Sequence, residues 1–216
     1  MNIKIFLTIA LLQAGIFTSL YAADYTGKII TEYAYQDFGI VLVPEKNTSV
    51  TPQSIAISQK GKIFRPPLLI VPQGSSVNFS NDDEVKHNAW SMSKIRRFDL
   101  GLLDEGDEPI VKFNEVGVVE VFCNIHQNMY MAVWVVNTPF YTYLDEQYNF
   151  SIKNVPDGVY QVEVRHNLTT TPPQIDKINI QGNTITGPRE FQFSKDTPSS
   201  KIPTRKGREK KDKLNY

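Results

Sequence analysis

The sequence of 216 residues contains a single cysteine, Cys123, and only three histidines. One cysteine cannot form an intramolecular disulfide, so the fold must be stabilised by a hydrophobic core. The formal net charge is zero, which gives no reason to expect nucleic acid as a partner. No apolar stretch reaches the ~20 residues that a membrane-spanning helix needs. These absences exclude a disulfide-stapled scaffold and a spanning membrane protein.

Residues 1–23 have the pattern of a secretory signal peptide. Lys4 gives a short positive region, residues 5–12 are apolar, and the segment ends in small residues. We expect cleavage after Ala22 or Ala23 and export to the periplasm. An uncleaved membrane anchor is the alternative, but the apolar run is too short to span. In an exported protein a lone cysteine is a free thiol or a metal ligand.

Residues 195–216 form a basic segment, with eight Lys or Arg against three Asp or Glu. The part between residues 24 and 194 carries the opposite sign, a net charge of −6. The basic segment is rich in Pro and Ser and nearly free of apolar residues, so we expect a disordered tail. It either keeps the protein in solution or contacts an anionic membrane surface or an acidic partner.

Strand patterns are dense and helical periodicity is weak, which predicts an all-β fold. Alternation places Val119, Val121 and Cys123 on one face, so we expect Cys123 to end a strand and point inward. We predict one unit over 24–137 and a small second β-sandwich over 138–194. Because the second unit is short for an independent sandwich, we expect it to pack against the first or to borrow strands from the N-terminal part, and the sequence leaves open which unit residues 24–53 complete. The predicted strands cover residues 28–35, 39–43, 54–58, 68–71, 76–80, 110–113, 117–123, 132–137, 142–152 (as a hairpin), 159–165 and 177–180.

Cys123 lies three residues before His126, and Met129 and Met131 follow closely. His87 lies 36 residues upstream of Cys123, where a separate loop could supply a further ligand. A thiolate, two imidazoles and a weak thioether are the ligand set of a mononuclear blue-copper site. The sequence therefore predicts copper on His87, Cys123, His126 and one methionine, and strand alternation does not choose between Met129 and Met131.

Other interpretations of the same residues are weaker. A buried cysteine is often a small core residue, but the histidines and methionines near Cys123 favour a ligand. Structural zinc normally takes four Cys or His ligands, and this group offers three. A cysteine hydrolase needs an accessible nucleophile beside its base, whereas Cys123 is expected to point inward. The third histidine, His166, has no sulfur ligand near it in the sequence and is expected to be an ordinary structural or surface residue.

Residues next to the ligands complete the predicted site. We expect the backbone N–H groups of Asn88 and Ile125 to donate hydrogen bonds to the Cys123 sulfur. His126, on the loop nearest solvent, is the candidate exit for an electron. We expect a docking face around it for an unidentified redox protein. The residues predicted to edge that face are Gln127, Asn128 and Tyr130.

These motifs resemble those of the cupredoxins, the plastocyanin-like blue-copper proteins. The resemblance is carried by His87-Asn88 and by Cys123-Asn124-Ile125-His126 followed by a methionine. Segments 97–102, 117–126 and 138–140 are similar to a bacterial subgroup often labelled methylamine utilisation protein. The resemblance implies a cupredoxin-like Greek-key β-sandwich followed by a carboxypeptidase-regulatory-like module. The spacing in the subgroup matches Met129, which the resemblance therefore implies as the axial ligand, whereas plastocyanin spacing matches Met131, which is the alternative.

The expected function is that of a type 1 copper protein that carries one electron between redox partners and is not an enzyme. Two alternatives stay open from the sequence. One is a periplasmic protein that binds or delivers copper, with fast metal exchange. The other is a metal-free β-sandwich interaction module in which Cys123 is structural.

Overall fold

The computed structural model of the chain describes residues 22–46, 48–167 and 174–193, and these residues form an all-β protein. The predicted signal peptide and basic tail lie outside the described residues, apart from Ala22 and Ala23. No helix within the described ranges is long and apolar enough to cross a membrane. The elements are β1 (Ala22–Thr31), a short 3-10 helix (Tyr35–Asp37), β2 (Phe38–Pro44), β3 (Ser54–Gln59), β4 (Phe64–Arg65), β5 (Leu68–Pro72), β6 (Ser75–Asn81), β7 (His87–Ser91), β8 (Phe98–Leu103), β9 (Ile110–Phe113), β10 (Gly117–Phe122), β11 (Tyr130–Val136), β12 (Tyr141–Tyr143), β13 (Asn149–Pro156), β14 (Gly158–His166), β15 (Gln174–Gln181), β16 (Thr184–Thr186) and β17 (Glu190–Phe193).

Strands β3 to β11 form a first sandwich of two sheets. One sheet has the order β5-β11-β10-β7-β8 and the other β4-β3-β6-β9. Alternate residues of both sheets point between them, as expected for strands with one face toward a core. The shared core contains Cys123 and both methionines of the predicted site. The ligand-bearing segment is therefore part of a packed core rather than a surface loop alone.

The remaining strands form a second sandwich, which includes the N-terminal strands. Its sheets have the orders β13-β1-β17 and β12-β2-β14-β15-β16. Strand β1 runs antiparallel to β13, and β2 is antiparallel to both β12 and β14. Aromatic and aliphatic residues of both sheets fill the core between them.

The two sandwiches share an apolar interface. Alternation along β2 places Ile40 and Leu42 in the second core and turns Val41 toward the first sandwich. There it meets Leu68, Ile70 and other residues on the outer face of β5, β10 and β11. Strand β11 is thus buried on both faces, which explains its continuous apolar sequence.

Gly39 lies at the closest approach of the two sandwiches. A Cβ atom at this position would lie 2.6 Å from Ile70 Cδ1 and 3.1 Å from Leu68 Cδ2. Because glycine lacks that atom, β2 can pack directly against β5.

The strand pairing differs from the predicted division at its N-terminal end. Residues 24–44 were predicted within the first unit, with borrowing by the second unit left open, and β1 and β2 pair with strands of the second half of the chain. Strand β1 also ends at Thr31, although the strand was predicted to continue to residue 35, where a 3-10 helix begins. Pairing across more than 100 residues leaves no local pattern, so the signal for it in the sequence was the small size of the second unit.

Candidate metal centre

The centre of the candidate site is the turn that follows β10. Cys123 lies directly after the strand and its side chain is buried in the first core, as alternation predicted. Its backbone N–H donates to the Met129 carbonyl at 3.2 Å, and the Met129 N–H donates to the His126 carbonyl at 3.0 Å. These two hydrogen bonds close the turn and hold Cys123 and His126 on one short, ordered segment.

His87 reaches the same place from a neighbouring strand. It is the first residue of β7 and pairs with Leu103 of β8, so the prediction that it lies on a loop was wrong. Its side chain is fully buried. Because a strand and its ladder fix the backbone here, the ring has little freedom to move away from the turn that carries Cys123 and His126.

The structure brings His87, Cys123 and His126 together. One ligand atom from each lies within 4.8 Å of the other two. The two Nδ1 atoms are 3.0 Å apart. Two ring nitrogens this close, beside a thiol, form a set of donors that converges on one point. A set of sulfur and imidazole donors suits a single metal ion that prefers soft ligands. The predicted trio is assembled, and its chemistry fits copper.

The surroundings of His126 favour a neutral ring. Burial lowers the pKa of His126, and the neighbouring His87 and Lys62 lower that pKa further. A neutral imidazole keeps a lone pair available for a metal. His126 is half-buried, whereas His87 and Cys123 are closed off from solvent.

Asp83 contacts His87 and was not predicted as part of the site. The Nε2–H of His87 donates to Asp83 Oδ2 at 2.7 Å. The backbone N–H groups of Gly61 and Lys62 donate to the same carboxylate at 2.8 and 3.0 Å. These two backbone donors and then His87 hold the pKa of Asp83 well below its usual range. The sequence offers three adjacent acidic residues at 82–84, and nothing in it selects the middle one.

Asn88 links the segments that carry the ligands. Its side-chain N–H₂ donates to Asp99 Oδ1 and to the Gly101 carbonyl, both at 2.8 Å. Its oxygen accepts from the backbone N–H of Asn124, the residue after Cys123, at 3.4 Å. The predicted hydrogen bonds from the backbone of Asn88 and Ile125 to the Cys123 sulfur stay a prediction.

The two methionines are both buried in the first core, but their register differs. Val121 pairs with Met131 and Phe122 with Tyr130, so the ladder continues to Cys123 opposite Met129. Directly opposite residues of an antiparallel pair lie closer than diagonal ones. Met129 is therefore the nearer cross-strand neighbour of Cys123.

The surface around His126 differs in one residue from the predicted docking face. Gln127 and Asn128 are exposed beside it. Tyr130 is only 8% exposed, packs in the interface between the sandwiches, and donates its hydroxyl to the Asn167 carbonyl at 2.9 Å. The prediction that Tyr130 edges the docking face was wrong, because β11 turns that ring toward the second sandwich.

His166 lies in the second sandwich and contacts none of the ligands in the described contacts. Its ring is buried between Tyr33 and Phe38, at centroid distances of 4.3 and 4.8 Å. The third histidine is therefore part of a core, the structural one of the two roles that the sequence left open.

The chain is similar in part to several solved protein structures. No protein-family model matches the chain. No curated protein matches it either. A purple cupredoxin from Nitrosopumilus maritimus is 28% identical, with 38% of this chain and 99% of its own covered and a TM-score of 0.35. A copper-containing nitrite reductase from Thermus scotoductus SA-01 is 19% identical, with 51% of this chain and 28% of its own covered and a TM-score of 0.38.

Amicyanin, in a reduced Cu(I) form at pH 4, is 18% identical, with 45% of this chain and 98% of its own covered and a TM-score of 0.37. All three are similar to only part of the chain, and likeness at this level assigns no function. The two facing sheets of the first unit form a β-sandwich in which the turn after β10 carries Cys123 and His126.

Proposed function

We propose that the first sandwich binds one copper ion through His87, Cys123 and His126 and carries a single electron between redox partners. The observation that carries this proposal is the convergence of the three ligand atoms within 4.8 Å, with the two imidazole Nδ1 atoms 3.0 Å apart. When bound, copper supplies a centre that alternates between Cu(II) and Cu(I). The protein supplies the donors, their geometry and the exclusion of water.

Each ligand has a distinct part in this proposal. Cys123 provides a thiolate once the metal displaces its proton. His87 and His126 provide neutral imidazoles that suit both oxidation states. Because Cys123 follows a strand and His87 begins one, packing of the core keeps the donors in place when the charge of the site changes.

We assign the weak axial position to Met129. The support is the register of β10 and β11, which places Met129 opposite Cys123 and Met131 opposite Val121. Met131 then serves as a core residue, the usual role of a buried methionine.

The half-buried ring of His126 is our candidate for the electron's exit. Gln127 and Asn128 are exposed next to it and Ile125 is 45% exposed. A small, partly apolar surface of this kind suits a transient redox encounter.

We further propose that the protein acts in the periplasm, because its N-terminal residues have the pattern of a signal peptide. We also propose that the basic segment 195–216 makes an electrostatic contact with an anionic membrane surface or an acidic partner.

Copper titration of the metal-free protein tests the site. We expect an intense visible charge-transfer band from thiolate to Cu(II) at one equivalent, lost in Cys123→Ser and in His87→Ala. A colourless mixture with the wild-type protein would contradict the copper proposal. Voltammetry of the loaded protein then separates carrier from delivery protein, because a carrier gives a reversible one-electron couple and retains its metal.

A further inference from the structure

Asp83 connects the ligand His87 to a turn of the opposite sheet. That turn, 60–63, joins β3 and β4, and its residues Gly61 and Lys62 donate two backbone hydrogen bonds to the carboxylate. The remaining contact is the 2.7 Å hydrogen bond from His87 Nε2. The carboxylate is thus held by the main chain on one side and holds the imidazole on the other.

This contact determines the tautomer of His87. The two backbone donors favour the ionised form of Asp83, and an ionised carboxylate can only accept, so the Nε2 atom of His87 carries a proton. The Nδ1 atom then presents its lone pair to His126 Nδ1, 3.0 Å away. In the metal-free protein the proton of that hydrogen bond must therefore reside on Nδ1 of His126.

We propose that Asp83 is the positioning residue of this centre: it fixes His87 with Nδ1 free toward the metal and, through its negative charge, favours the more oxidised ion. Only the effect on the oxidation state of the ion rests on the proposed copper function. The tautomer of His87 is a property of the metal-free protein. Outer carboxylate partners of ligand histidines orient the ring and raise its basicity, and their loss typically weakens metal binding about 10–100-fold.

The neighbouring Asp82 provides a matched control. Its carboxylate accepts hydrogen bonds from the hydroxyls of Ser58 and Ser80 and makes no contact with His87 in the described contacts. Asp82→Asn and Asp83→Asn remove the same charge from adjacent positions of one loop. Only the second changes the group that accepts from the His87 ring, because an amide offers one oxygen where the carboxylate offered two to the three N–H donors of Gly61, Lys62 and His87.

The first measurement is made without copper. Nitrogen-15 NMR of the imidazoles in the wild-type protein should show the Nε2–H tautomer for His87 and the Nδ1–H tautomer for His126. Asp83→Asn should shift His87 toward a mixture of tautomers, and Asp82→Asn should leave it unchanged. A wild-type His87 with its proton on Nδ1 would overturn the proposal even if copper binds.

The second measurement uses Cu(II) and Cu(I) affinities and the reduction potential. We expect Asp83→Asn to lose about 10–100-fold in Cu(II) affinity and less in Cu(I) affinity. The potential should rise by about 59 mV for each tenfold difference between the two losses. Equal losses of Cu(II) and Cu(I) affinity, or the same shift of the potential in Asp82→Asn, would refute the charge effect. Failure of the wild-type protein to bind copper would refute the proposed function alone.

Discussion

Each sandwich contains a buried histidine beside an aspartate, yet only one of them belongs to a candidate metal centre. His87 lies 2.7 Å from Asp83, and His166 lies 3.6 Å from Asp37. The second ring contacts Tyr33 and Phe38, the latter in an edge arrangement, so it lies among aromatic core residues. Burial and a carboxylate therefore do not define a ligand.

What distinguishes His87 is a second set of donors opposite its carboxylate. Cys123 and His126 approach the His87 ring from the turn after β10, and the Nδ1 atom of His126 lies next to the Nδ1 atom of His87. In the second sandwich His166 ends β14, paired with Phe38 of β2, where the neighbouring side chains are aromatic. A histidine at a strand end can therefore bind a metal when it faces a turn that carries further ligands. A histidine at a strand end that faces aromatic side chains becomes part of a hydrophobic core.

The largest expected effect separates the two histidines. His87→Ala should abolish the charge-transfer band because it removes one of two imidazole donors. His166→Ala should keep the band and lower the melting temperature, since it leaves a gap between Tyr33 and Phe38 in the second core. Copper titration and thermal unfolding of the two variants check both parts. Loss of the band in His166→Ala, with the fold intact by circular dichroism, would break the comparison.

Much of this contrast was predictable from the sequence because it depends on local patterns. Alternation over Val119 and Val121 placed Cys123 inward, and the spacing to His126 indicated a turn with two donors. The small size of the second unit suggested that it borrows N-terminal strands, but no local pattern identified β1 and β2, because their partners are more than 100 residues away. Asp83 was also out of reach, since its role depends on a turn contributed by the opposite sheet.

A core substitution in the second sandwich tests whether the two units are energetically separate. Phe38 is fully buried and its ring contacts both His166 and Phe193, at 4.8 and 5.1 Å. Phe38→Ala should cost about 3–5 kcal/mol of stability while the copper band keeps its wavelength. Denaturant unfolding of the metal-free protein measures the first quantity.

Phe79→Ala is the control for this test. Phe79 is equally buried but belongs to the first core, where it contacts Phe98 at 5.7 Å. We expect a similar loss of stability together with weaker copper binding. A shifted band in Phe38→Ala, or copper binding weakened as much as in Phe79→Ala, would show that the apolar interface between the sandwiches transmits strain to the site.

The methionine pair sharpens the comparison inside the first sandwich. Met129→Leu should raise the reduction potential, because loss of a weak sulfur donor disfavours the more oxidised ion. An effect of about 59 mV corresponds to a tenfold change in the ratio of the two affinities. Met131→Leu is a volume-conserving core change that should cost less than about 1.5 kcal/mol and leave the potential unchanged. The opposite pattern in voltammetry would reassign the axial ligand to Met131.

The smallest expected effect is a loss of stability at alkaline pH that originates in the second sandwich. Tyr25 is buried there, donates its hydroxyl to the Pro188 carbonyl at 2.5 Å, and has its pKa raised above the usual range by that burial. An unfolded tyrosine ionises near pH ~10, so above that pH the folded state holds a proton that the unfolded state loses. Stability should therefore fall by at most about 1.4 kcal/mol per pH unit for this group, and fall less steeply in Tyr25→Phe. Urea unfolding at several pH values measures the slope, and an identical slope in the variant would show that Tyr25 titrates alike in both states.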